Sequence, residues 1–142
     1  MLEYIFAYYL FTFEQYLLHK LQHNNDYYKT HLTQHHNSYD KNDITIVKRI
    51  NSLYENLDLY FYGNILCIIS NYNVLKFNLV CFQLIIGYLS YYFHNEYHNK
   101  KSIWLEYQFF KYLKRKHSLH HKYCKNYFLL EPTFDIIFGT YK

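Results

Sequence analysis

The ten histidines of this chain occur in four short clusters, and none lies outside them. The clusters are HKLQH (His19 and His23), HLTQHH (His31, His35 and His36), HNEYH (His94 and His98) and HSLHH (His117, His120 and His121). Residues four apart share one face of a helix, so each cluster contains a pair that can direct two imidazoles at one point. These pairs are His19/His23, His31/His35, His94/His98 and His117/His121, while His36 and His120 lie beside a pair and can turn toward a neighbouring ion.

This distribution predicts a metal centre with all ten histidines as ligands. A single HxxxH pair is more often a surface or core feature than a ligand pair, but four pairs that use every histidine of the chain favour metal binding. Ten ligands exceed one ion, because a structural zinc site closes at about four ligands and usually includes cysteine. We therefore predict two ions. Imidazole binds iron, zinc, copper and nickel, so the pattern leaves the metal open.

The elements that must position these clusters are predicted to be helices. The 142 residues include three glycines and one proline, and few breakers with many large side chains favour long helices in one domain. The predicted apolar helices cover about 4–18, 57–70 and 74–93, and the polar, histidine-bearing segments cover 19–56 and 94–130. Within the first polar segment, Asp43 is expected to cap a helix over 44–57.

The apolar helices suggest a membrane topology. The segments 4–18 and 57–70 are short for a span of about 20 residues, whereas 74–93 is long enough. A hairpin that turns at Asn71 to Asn73 returns the chain to its starting side, so all four histidine clusters and the basic last third lie together. The positive-inside rule makes that side cytoplasmic. We therefore predict an all-α, integral-membrane helical bundle with a cytosolic histidine-rich di-metal cap, and the alternative is a soluble all-α bundle that binds zinc.

Other residues have weaker assignments. Cys67, Cys81 and Cys124 are odd in number and widely spaced, which indicates reduced thiols and not a disulfide framework. Candidate partners for imidazole N–H groups are Glu14, Glu96 and Glu106, although ordinary surface acids fit the same pattern. Asp135 is expected to contact a histidine or to cap the final turn, which Gly139 would end.

The ordered motifs resemble the fatty acid hydroxylase/sterol desaturase superfamily, whose members are membrane di-iron oxygenases. The family pattern is HxxxH, then HxxHH or HxxxHH, an apolar hairpin, HxxxH and HxxHH, and the chain contains each part in that order. The tail NYFLLEPTFDIIFGTYK is similar to the family ending in Asn126, Asp135, Phe138, Gly139 and Thr140. The similarity covers nearly the whole chain, so residues 1–142 are interpreted as one domain of this type.

The resemblance implies two iron ions, O2 as co-substrate and hydroxylation or desaturation of a lipid, with the ten histidines as catalytic and metal-binding residues. Zinc can replace iron during expression. The spacing HxxxHH, HxxxH, HxxHH favours a fatty acyl or sphingolipid substrate, and the alternatives are a sterol desaturase or C4-methyl oxidase, or a shortened, non-catalytic relative.

The resemblance also implies partners and a location. The electron donor would be cytochrome b5 with an NAD(P)H reductase, and the location would be the endoplasmic reticulum or another endomembrane, with the histidine face in the cytosol. Little sequence precedes His19, so we expect the chain to need a partner, to form a homodimer or to be a reduced form. The motifs give no support for nucleotide binding or hydrolysis, and a nucleic-acid partner is not expected because it would leave seven histidines unexplained.

Overall fold

The computed structural model of the protein describes residues 1–24, 31, 35, 36 and 77–142. Within these ranges the chain is helical and contains no strand, which confirms the all-α prediction. The elements are α1 (Leu2–Asn24), α2 (Phe77–His98), a 3-10 helix (Ile103–Glu106), α3 (Gln108–Tyr123) and α4 (Thr133–Ile137). The predicted helices at 44–57 and 57–70 and the turn at Asn71 to Asn73 lie outside the described residues.

Helices α1 and α2 pack through stripes of buried residues that include many polar side chains. The buried stripe of α1 repeats every four residues and contains Ala7, Phe11, Gln15 and His19. The stripe of α2 repeats every three or four residues and contains Leu79, Gln83, Ser90, His94 and His98. The Ser90 hydroxyl donates a hydrogen bond to the Gln15 carboxamide at 3.3 Å, which joins the two stripes. Both stripes end in histidines, so the packing of α1 against α2 brings the two HxxxH motifs to one end of the pair.

The helix α3 is amphipathic, with an apolar and histidine-bearing face toward the core. Its buried residues Phe110, Leu113, His117 and His120 recur every three or four positions, as expected for one helix face. Phe110 and Leu113 pack in the core with Tyr97 and Phe128. The core therefore begins one helical turn before the histidines of α3 and fixes their direction.

A strap formed by residues 124–129 connects α3 to the segment that precedes α4. Cys124 ends α3 in the left-handed region with φ 51°, and Asn126 also has a positive φ of 58°. These two residues turn the chain back along α3 and α1. Gly139, with φ 67°, follows α4, which confirms its predicted place after the last helical turn.

A helix forms over the part of the predicted apolar segment 74–93 that the structure describes. Within the described ranges, no helix combines the length and the apolar character needed to cross a membrane. The helix begins at Phe77 and continues to His98, so it starts three residues later and ends five residues later than predicted. Similarly, α1 runs past the predicted end at residue 18 and carries His19 and His23 within its last turns.

We expect Phe110→Ala to lower the free energy of unfolding by about 3–5 kcal/mol, because it leaves a cavity in the core. Phe110 is 3 % exposed, whereas its neighbour Phe109 is 68 % exposed. The matched control Phe109→Ala is therefore expected to change the same free energy by less than about 0.5 kcal/mol. Urea unfolding followed by circular dichroism measures both variants, and equal losses would contradict this assignment of the core.

Candidate metal centre

All ten histidines lie in one continuous cluster at the end of the helices. Nine of them form two groups in which the candidate ligand atoms all lie within 4.8 Å of one another. The five-histidine group contains His19, His23, His31, His36 and His120. The four-histidine group contains His35, His94, His98 and His117. His121 joins the two groups, because its ring stacks on His36 at 4.2 Å between centroids and its Nε2 lies 3.1 Å from Nε2 of His117.

The structure separates some histidines that the sequence paired. His19 and His23 share a group, and so do His94 and His98, as their spacing predicts. His31 and His35, however, fall in different groups. The histidines of α3 also divide, because His117 belongs to the four-histidine group and His120 to the five-histidine group. Each HxxHH or HxxxHH motif therefore serves both groups, which brings the groups into contact.

The distances between ring nitrogens fit ligands of a common ion. Within the five-histidine group, Nε2 of His19 lies 3.1 Å from Nε2 of His31, and Nε2 of His120 lies 3.2 Å from that of His23 and 3.1 Å from that of His36. Metal–nitrogen bonds of about 2.0–2.1 Å place neighbouring ligand atoms about 2.9–3.4 Å apart at octahedral or tetrahedral angles. Each group therefore has the donor type and the spacing that an imidazole-ligated ion needs.

Burial keeps these imidazoles neutral, which is the form that binds a metal. Burial lowers the pKa of His19 from 6.5 to about 4, although the hydrogen bond to the Tyr127 carbonyl opposes the shift. Burial, with the neighbouring His19 and His36, lowers the pKa of His23 to about 2. For the central residues His94 and His117, burial and the surrounding histidines hold the pKa well below the usual value. The cluster therefore offers uncharged nitrogen donors at neutral pH.

Two backbone carbonyls of the strap fix the direction of two ligand rings. Nδ1 of His19 lies 2.7 Å from the carbonyl oxygen of Tyr127, and Nδ1 of His120 lies 3.0 Å from that of Lys125. A carbonyl only accepts, so each Nδ1 carries the proton and donates it. The lone pair of each ring is then on Nε2, which faces the other histidines of the five-histidine group.

These outer partners are backbone carbonyls, whereas the sequence suggested acids such as Glu96 and Glu106. The Glu96 carboxylate accepts a hydrogen bond from the Asn99 side chain at 3.2 Å, and Glu106 is exposed. Asp135 does not cap its own helix, where Pro132 is the N-cap residue and makes no side-chain cap hydrogen bond. Asp135 instead accepts hydrogen bonds from the strap. Every residue has a backbone carbonyl, so the sequence could not predict these two partners. Only the similarity of the C-terminal tail to the family ending pointed to this segment.

The two cysteines that the structure describes do not contribute to the two groups. Cys81 is half-buried and Cys124 is exposed, and they form no disulfide with each other. The groups found among the described residues contain histidine alone. Cys67 lies outside the described residues.

An all-helical fold that collects histidines into two adjacent groups, each able to hold a metal ion, defines a histidine-rich di-metal class of protein. The model of the fatty acid hydroxylase family matches residues 4–140, so the chain belongs to this family. Comparison with curated proteins and with solved structures gives no match. Membership places the chain among lipid-hydroxylase-type oxidoreductases, a class that is iron-dependent and generally membrane-associated.

We expect the double variant His98→Ala/His117→Ala to reduce bound zinc from about two ions per chain to about one. The variant leaves two of the four ligands of that group, fewer than the three or four that zinc sites use in proteins. Elemental analysis of protein purified in mild detergent measures the ratio. Lys101→Ala, an exposed residue beyond α2, serves as the control and should keep two ions. Loss of both ions in the double variant would show that the groups are not separate sites.

We expect the metal-free protein to lose stability as the pH falls below about 6.5. An unfolded histidine takes up a proton near its ordinary pKa of 6.5, whereas folded His19 does so near 4. The unfolded state therefore binds more protons between pH 6.5 and pH 4. The free energy of unfolding consequently decreases as the pH is lowered through this range. His19 alone contributes about 3 kcal/mol between these limits, at about 1.4 kcal/mol per pKa unit. Chemical unfolding between pH 8 and pH 4 measures the slope, and a flat profile below 6.5 would contradict it.

Proposed function

We propose that this chain is an O2-dependent di-iron hydroxylase or desaturase that acts on a fatty acyl or sphingolipid chain. The observation that carries the proposal is the contact between two groups of neutral, buried histidines, which suit a pair of ions. Two irons held by these histidines would activate O2 for reaction with an unactivated C–H bond. For hydroxylation, one substrate C–H, one O2, two electrons and two protons give the alcohol and one water.

The ring layer beside the four-histidine group suits an apolar substrate. A cleft of about 240 Å³ is lined by apolar and aromatic side chains: Phe93, Trp104, Tyr107, Phe109, Phe110, Leu113 and Leu130. Tyr97 separates this cleft from the histidines, with its ring 5.4 Å from Phe110 and 5.3 Å from His117 between centroids. An acyl segment in the cleft would therefore lie one ring layer from a ligand, and these side chains would exclude water from it.

The outer faces of α1 and α2 support a lipid environment. Large apolar side chains are exposed there, whereas glutamine, serine and histidine are buried between the helices. The exposed residues include Leu2, Ile5, Phe6, Leu17 and Leu21 of α1 and Leu84, Ile85 and Tyr88 of α2. Contiguous exposed apolar surface marks contact with a membrane or a partner. We propose contact with the lipids of the endoplasmic reticulum or another endomembrane.

The outer face of α3 suits an acidic electron donor. Lys111, Arg115 and Lys122 are exposed on the helix that carries His117 and His120 on its buried side. Complementary charge speeds the encounter of two proteins, so cytochrome b5, reduced by an NAD(P)H reductase, is the donor we propose. Contact of the same cations with lipid head groups is the alternative role for this face.

The test is lipid analysis of cells that express the chain together with cytochrome b5 and its reductase. We expect a hydroxylated or desaturated acyl lipid that falls to the background of control cells in His120→Ala, which removes a ligand of the five-histidine group. The control is Lys101→Ala, an exposed position beyond α2 and outside the basic face of α3, which should retain the product. Protein with two irons but no change in any lipid class would contradict the proposal and support a non-catalytic metal-binding role.

A further inference from the structure

The peptide between Tyr127 and Phe128 links a buried carboxylate to a histidine of the metal centre. Its carbonyl accepts the Nδ1 proton of His19 at 2.7 Å, and its N–H, which belongs to Phe128, donates to Oδ2 of Asp135 at 2.8 Å. A trans peptide is planar, and its N–H and C=O point in opposite directions. Asp135 therefore holds one end of a rigid unit whose other end holds His19.

The peptide between Lys125 and Asn126 makes a parallel arrangement at the second ring. Its carbonyl accepts the Nδ1 proton of His120 at 3.0 Å, and its N–H donates to the Thr140 carbonyl at 3.1 Å. Thr140 is tied to Asp135 in turn, because the Thr140 hydroxyl donates to Oδ1 of Asp135 at 2.6 Å. The carbonyls of both peptides therefore bind ligand rings, while their N–H groups are held by Asp135 and Thr140.

The Asp135 carboxylate makes its hydrogen bonds to the strap and to Thr140. The residue is fully buried, and its carboxylate accepts from the N–H groups of Tyr127 and Phe128, each at 2.8 Å, and from Thr140. A charged acceptor makes stronger hydrogen bonds than a neutral one, and a chain of such bonds polarises each member. The carboxylate therefore stiffens the strap and strengthens the carbonyl that binds His19.

We propose that Asp135 is a positioning residue that sets the tautomer and direction of the His19 ring through the Tyr127–Phe128 peptide. Thr140 supports His120 in the same way through its backbone carbonyl. Loss of this support should affect the five-histidine group and not the four-histidine group, because both rings belong to the former. The inference rests on the metal-binding part of the proposed function and does not depend on lipid turnover.

The first test is the tautomer of His19 in the metal-free variant Asp135→Asn, measured by 15N NMR of the imidazole nitrogens. Asparagine keeps the shape but offers one acceptor oxygen, so its amide group meets the N–H of Tyr127 or Phe128 as a second donor. We expect His19 to lose its Nδ1–H tautomer while His120, held by the Thr140 carbonyl, keeps it. The matched control is Glu131→Gln, which removes a nearby acid. The Glu131 carboxylate accepts a hydrogen bond from the Thr133 N–H and makes none to the strap, so this variant should leave both rings unchanged.

The second test is zinc affinity of the five-histidine group, measured by chelator competition in the His98→Ala/His117→Ala background. We expect Asp135→Asn to weaken this affinity by about 10- to 100-fold, the usual effect of losing an outer partner of a metal ligand. The four-histidine group, measured in the otherwise native chain, should keep its ion. An unchanged His19 tautomer with unchanged affinity, or equal losses at both groups, would overturn the proposal.

If Asp135→Asn does not fold, two less disruptive variants at Thr140 test the same role of Asp135. Thr140→Ala removes one of the three hydrogen bonds to the carboxylate, and Thr140→Ser retains it. We expect the alanine variant to shift the His19 tautomer and the zinc affinity in the same direction by a smaller amount, and serine to restore both. Wild-type values in Thr140→Ala would overturn the proposal. Wild-type protein that binds two ions but yields no lipid product would refute the proposed function alone.

Discussion

The structure depends on collecting ten imidazoles, nine of them buried, in one cluster. A buried cation is costly, and several protonated histidines in contact would repel one another, so the cluster exists only while its rings are neutral. Neutral rings bring a second requirement, because each has one lone pair and it must face the ion. Carbonyls of the strap meet this requirement at His19 and His120 by accepting their Nδ1 protons. Metal binding and folding are therefore coupled at the cluster.

The same requirement explains the unusual polarity of α1 and α2. A helix that delivers histidines to a buried point must bury the rest of that face as well, and Gln15, Gln83 and Ser90 occupy it. Two of these polar side chains pair across the helices, because the Ser90 hydroxyl donates a hydrogen bond to the Gln15 carboxamide oxygen. Apolar side chains are then left for the outside. Summed hydropathy over either helix therefore averages buried polar residues with exposed apolar ones.

The sequence predicted the helical class, and which histidines of one helix share a group, better than it predicted the grouping of the whole set. Histidine spacing on one helix is a local property, so the shared groups of His19 with His23 and of His94 with His98 followed from it. The division of His31 from His35 depends on which helices lie beside them, and no local rule contains that information. The role of the strap carbonyls could not be predicted from the sequence, because any residue can supply a carbonyl. Asn126 and Asp135 were the visible signs of the strap, and their role required the peptide geometry.

A peptide between the carboxylate and the ligand has a physical advantage over direct contact. A carboxylate bound directly to an imidazole would place a negative charge beside the cluster and partly neutralise the ions. Here Asp135 lies one peptide farther out, and within the described part of the chain the two groups contain only histidine. The ring receives its orientation, while the ligand set adds no charge. In the proposed di-iron centre, a ligand set without charge would leave the full positive charge on the two metals.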